Sequence, residues 1–156
     1  MFLGIVALHV LVGLSAVLSG LFAMRLPKGR GRHSRAGTIY FWSLAAVFVS
    51  MAVLSAMRWT EDYYLFALGA LAFALGVMAR TAARQQWDLR IHASGMGLSY
   101  IVMLTAFYVD NGKNLPLWQD FPPIAYWTIP AIIGLPIILW AFMHHPLLQQ
   151  PFRAPK

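Results

Sequence analysis

The chain has 156 residues, 60% hydrophobic and 11% charged, with a mean hydropathy of +0.64. A soluble domain carries about a quarter charged residues and roughly half apolar ones, and disorder needs low hydrophobicity; both are excluded, and an integral membrane protein remains. Cysteine is absent, which removes thiol catalysis, thiolate metal ligands and disulfides. A net charge of +7 points either to nucleic acid or to basic cytoplasmic loops, and the positions of the charges decide between them.

A spanning helix needs about 20 apolar residues. Five runs meet that requirement: residues 2–24, 36–57, 63–79, 91–109 and 124–143. The third is the shortest. In lipid every backbone polar group needs an internal partner, so each run is expected to be a helix; the period-2 alternation of a β-barrel is absent. The expected fold is therefore an all-α bundle of five transmembrane helices forming a single domain over residues 1–156. Polar connections lie at residues 25–35, 58–62, 80–90 and 110–123, with a tail at 144–156.

The charges divide unevenly over these connections. The first and third connections and the tail hold ten of the twelve basic residues (Arg25, Lys28, Arg30, Arg32, Arg35, Arg80, Arg84, Arg90, Arg153 and Lys156) with Asp88 as the one acid, a net of +9. The other side holds Arg58 and Lys113 against Glu61, Asp62, Asp110 and Asp120, a net of −2. Positive loops stay inside, so the N-terminus is expected outside and the C-terminus in the cytoplasm of a bacterial inner membrane. The basic residues are then loop anchors beside anionic headgroups, and nucleic acid is not expected as a partner. The first run has no basic segment before it and exceeds the apolar stretch of a signal peptide, so it reads as a retained helix. Trp59, Tyr63, Tyr64, Trp118, Tyr126 and Trp127 fall near the outer boundary, and Tyr40, Trp42, Trp87 and Trp140 near the inner one, as interfacial belts do.

Helix faces suggest how the bundle closes. His9, Gly13, Ala16 and Gly20 share one face of the first helix; Gly69, Ala72 and Gly76 share one face of the third; Ser94, Gly95 and Gly97 open the fourth. Small residues let neighbouring backbones approach closely. The fifth helix starts after Pro122 and Pro123, carries Pro130 and Pro136 inside, where each removes a backbone hydrogen bond and favours a kink, and ends at Pro146.

Polar residues within the spans are few. His9, about a third of the way in from the outer face, marks either a haem or metal ligand, a quinone partner or a proton carrier, or else a neutral imidazole bonded to a carbonyl or a Ser hydroxyl across helices. His33, His92, His144 and His145 lie on the inner side near Asp88, and imidazole with carboxylate suits zinc, copper or iron. Adjacent His144 and His145 diverge by about 100° on a helix, which disfavours one shared metal. His9 and His92 are separated by ~15–20 Å along the membrane normal, too far to ligate one iron within a subunit. Ser99 and Tyr100 are candidates to bond a cofactor or another helix. The chain lacks a P-loop, a dinucleotide fingerprint, an H-E-x-x-H pair and a nucleophile elbow.

Two stretches carry a family likeness. One is LSGLFAMR at 18–25 with GRHSRAGTIY at 31–40; the other is HASGMGLSY at 92–100 with LTAF at 104–107, followed by Pro130, Gly134 and Pro136. Over nearly its whole length the chain resembles a family of small bacterial membrane proteins labelled domain of unknown function 2306, with the Gly31-x-His33-x-x-x-Gly37 loop as the most specific element. The resemblance implies a compact multi-helix membrane domain with histidines at His9, His33 and His92, and it implies no activity. The expected role is an accessory or assembly component that packs with other membrane-protein subunits or with itself in the lipid bilayer. The alternative is a histidine-based haem, metal, quinone or proton site in membrane electron transfer.

Overall fold

The apolar runs form helices because a chain out of water must pair its own backbone groups. In the computed structural model, which describes residues 2–29 and 31–149, the order is α1 (Phe2–Arg25), α2 (Arg32–Met57), α3 (Trp59–Arg84), α4 (Leu89–Asn111), a 3-10 turn (Gly112–Asn114), α5 (Pro123–His144) and a short α6 (Pro146–Gln149). No strand occurs among the described residues. Five of the helices are long and apolar enough to cross a membrane.

The helices extend past the apolar runs. Arg32 to Arg35 join α2, and the expected 58–62 loop reduces to Arg58, because α3 begins at Trp59 and continues to Arg84. The third helix, expected to be the shortest, has 26 residues. Its ends explain why: Glu61 and Asp62 sit in the first turn and Arg84 in the last, each sign complementing the helix dipole. Beyond Arg84 the amide of Trp87 bonds the Ala82 carbonyl at 2.9 Å while Gln86 takes a left-handed φ of 54°, a Schellman-type stop. Asp88 then starts α4, its Oδ1 accepting from the Arg90 amide at 2.8 Å. Within α5, Pro130 and Pro136 are accommodated in one continuous helix, with Pro130 buried and Pro136 exposed.

The chain divides into two compact units, Met1–Phe73 and Ala74–Lys156, the boundary falling inside α3. In the first, α1 and α2 form an antiparallel hairpin centred on fully buried Ala16 and Leu44. The first part of α3 adds an aromatic layer: Phe48 stacks on Phe73 at 5.3 Å, and Gly69 leaves room for Phe48 and Met51.

In the second unit α4 meets α3 through Gly95 and α5 through Gly97. A Cβ on Gly95 would lie 2.8 Å from Ala79 Cβ and 3.2 Å from the Leu75 carbonyl oxygen; one on Gly97 would lie 2.7 Å from Ile138 Cδ1. Two residues apart on a helix is about 200°, so these glycines serve opposite sides of α4. Gly134 of α5 returns the contact, its backbone lying against Ile101 of α4.

The α4–α5 connection packs on itself. Tyr108 stacks on Trp118 at 4.1 Å, the Tyr126 hydroxyl lies 3.1 Å from the Trp118 carbonyl and 3.3 Å from the Phe121 carbonyl, and the Tyr126 ring covers Gly112. Tyr126→Phe is expected to lose about 1 kcal/mol, visible as faster proteolysis at residues 115–121 with little change in the helical circular-dichroism signal.

Candidate functional site

The α1–α2 hairpin is cross-linked by side chains at three levels. Near the start of α1, His9 Nδ1 lies 2.8 Å from Ser50 Oγ. The Ser50 hydroxyl donates to the carbonyls of Ala46 (2.7 Å) and Val47 (3.0 Å), so its one proton is committed and it accepts from His9. This sets the His9 tautomer with the proton on Nδ1. Midway, Ser15 and Ser43 hydroxyls meet at 2.9 Å. At the loop end, His33 Nδ1 donates to the Ala23 carbonyl at 2.9 Å. Lys28 Nζ donates to the same carbonyl at 3.1 Å and to that of Met24 at 2.8 Å, capping the last carbonyls of α1. Partial desolvation lowers the Lys28 pKa from its ordinary value.

His9 thus adopts the cross-helix arrangement with a Ser hydroxyl that the sequence offered as one of its two readings. It is half-buried, and its partner Ser50 is buried. Ser15, Ser43 and Ser50 escaped the sequence reading. No signal singled them out, since Ser19 and Ser55 lie in the same two spans.

The candidates of the second unit are tied locally. His92 Nδ1 donates to the Ala79 carbonyl of α3 at 2.9 Å, one helical turn from the Gly95 contact. Ser99 is completely buried and donates to the Met96 carbonyl within its own helix at 2.9 Å. Tyr100 is half-buried on α4. His144 Nδ1 donates to the Trp140 carbonyl at 3.0 Å and its ring stacks on that indole at 5.1 Å. His145 ends α5, and its Nδ1 accepts from the Leu147 amide at 3.3 Å. Arg90 Nε reaches the Leu148 carbonyl at 3.0 Å and holds α6 against α4.

Among the described residues no group of three or more His, Asp or Glu side chains is placed to hold a metal ion. His33, His92 and His144 each direct Nδ1 at a helix carbonyl, from a neighbouring helix or their own. No buried side-chain polar atom among the described residues lacks a hydrogen-bond partner. In chemical terms the bonds of His9, Ser15, His33 and His92 tie neighbouring helices together, each worth about 0.6 kcal/mol on average in membrane proteins. Compared with models of known protein families, with curated proteins and with solved structures, the chain matches none.

Proposed function

We propose that the protein is a small polytopic component of a bacterial inner membrane that packs with other membrane-protein subunits, as an accessory or assembly factor. The observation that carries this reading is the outer face of α1. This helix presents Leu3, Val10, Leu11, Leu14, Leu18 and Leu21 exposed, at the spacing of one helix face, while His9 and Ser15 are engaged with α2. Such a face suits a partner helix or lipid. The charge asymmetry supports an external N-terminus and a cytoplasmic C-terminus.

Mild-detergent extraction followed by native electrophoresis tests the role. Co-migration with a larger membrane complex supports it, and migration as a lone chain under conditions that preserve other complexes refutes it. Fusions test the orientation: alkaline phosphatase is expected to be active when inserted near residue 117 and inactive near residue 28. The reverse pattern sinks it.

A second reading, the histidine-based site for haem, metal, quinone or protons, draws on the His9 tautomer. With the proton on Nδ1 and donated to Ser50, Nε2 carries the lone pair, the orientation that outer partners impose on ligating histidines. A stoichiometric Soret band or metal content in the purified protein, lost in His9→Leu, selects this reading.

A further inference from the structure

The loop end of the α1–α2 hairpin carries a groove of about 310 Å³ lined by Ser19, Phe22, Leu26, Arg32, Arg35, Ala36 and Ile39. Its composition is divided by chemistry. Phe22, Leu26 and Ile39 supply an apolar wall, and Phe22 and Ile39 are exposed at 62% and 52%. Arg32 and Arg35 supply two guanidiniums at the polar end.

The charges of this end have no acidic neighbour within their own unit. Residues 1–60 contain no Asp or Glu, while Arg25, Lys28, Arg30, Arg32 and Arg35 fall within eleven positions. The first acids, Glu61 and Asp62, begin α3 beyond the opposite end of α2. The 26 residues of α2 span ~39 Å, so neither carboxylate reaches the groove from there. Lys28 is engaged with α1 carbonyls, and among the described residues that line the groove Arg32 and Arg35 are the cationic ones. Gly31, at the N-cap of α2, supplies no side-chain cap, so the positive end of that helix adds to the field.

We propose that this groove binds one anionic phospholipid, its phosphodiester between Arg32 and Arg35 and an acyl chain along Phe22 and Ile39. Arginine's planar fork matches phosphate oxygens, and the exposed apolar wall is what an acyl chain covers. A soluble anion would use the guanidiniums and leave the wall bare, which is why the lipid is the occupant assigned. The site holds under either functional reading above.

Native mass spectrometry of the full-length protein in nonionic detergent tests it, with phosphatidylglycerol, phosphatidylcholine and inorganic phosphate as separate probes. Two arginines at roughly fivefold apiece give phosphatidylglycerol an advantage of about 25-fold over phosphatidylcholine. R32Q/R35Q is expected to abolish most of that advantage, while R84Q, which removes an exposed arginine of the other unit, preserves it. Equal retention of the two lipids by the unsubstituted protein overturns the proposal without recourse to any variant. So does an equal loss in R84Q, which would mean general charge attraction. Retention of inorganic phosphate as strong as that of phosphatidylglycerol would assign the groove to a soluble anion and overturn it as well.

Discussion

Gly95→Val is expected to destabilise the protein by about 2–3 kcal/mol, the upper range for forcing side-chain volume into a packed contact. A Cβ at this position meets Ala79 Cβ at 2.8 Å and the Leu75 carbonyl at 3.2 Å. Neither can swing aside, since one is the first atom of a side chain and the other is backbone. The strain must move α4 away from α3, and His92 stands one turn away with a 2.9 Å bond to the same Ala79 residue. The loss should therefore appear twice: as a lower midpoint in detergent unfolding and as a downfield-to-upfield change in the His92 Nδ1–H resonance as that bond lengthens. Gly13→Ala is the matched control. Nothing lies within 4 Å of a Cβ there, so a helical glycine is exchanged for a better helix former at no steric cost. A stability loss in Gly13→Ala equal to that in Gly95→Val would refute the packing argument.

Ser50→Ala is expected to cost about 1–2 kcal/mol, more than the mean for a transmembrane hydrogen bond, because the hydroxyl serves His9 and two carbonyls of its own helix at once. Ser50 Oγ accepts the His9 Nδ1–H at 2.8 Å while its own proton goes to Ala46 and Val47. Removing the hydroxyl breaks the bond that crosses the hairpin at half-buried His9. Removing both partners restores balance, so the double variant His9→Leu/Ser50→Ala should lose less than the sum of the single variants. A cycle of unfolding measurements gives the coupling directly. Additive losses would mean that the two side chains do not interact across the hairpin.

The two predictions rest on features of different legibility. Gly95 was readable as a small residue on a helix face, and its role at a close backbone approach follows from that type. Which helix it serves was not readable, because Gly95 and Gly97 are near in sequence and point to opposite sides of α4. His9 was readable as an outlier in an apolar run. Its partner was not, because Ser50 lies 41 positions away and many serines are equally polar on paper. The metal-ligand set His33, His92, His144 and His145 illustrates the same limit. Residue type names the chemistry a side chain can do, whereas three carbonyls at Ala23, Ala79 and Trp140 decide where three of those rings point.

Helix ends show where composition misleads. An apolar run measures the thickness of the hydrocarbon, not the length of the hydrogen-bond ladder. Arg32, Glu61, Asp62 and Arg84 are helical because charged side chains can extend into headgroups or water while their backbone continues the helix. Each therefore lies beyond the apolar run and within the element.

By itself the sequence determined that the chain is all helical and that it has five segments able to span a bilayer. Both follow from one constraint, the cost of an unpaired backbone group in lipid, which acts on every residue alike and needs no knowledge of neighbours. Only the tertiary structure decided which side chains meet: His9 with Ser50, Ser15 with Ser43, Gly95 with Ala79, and the Arg32–Arg35 pair with the apolar wall of Phe22, Leu26 and Ile39. Those pairings depend on the register between helices, which is set by the fit of small residues and hydrogen bonds across each interface, and helical periodicity leaves that register open.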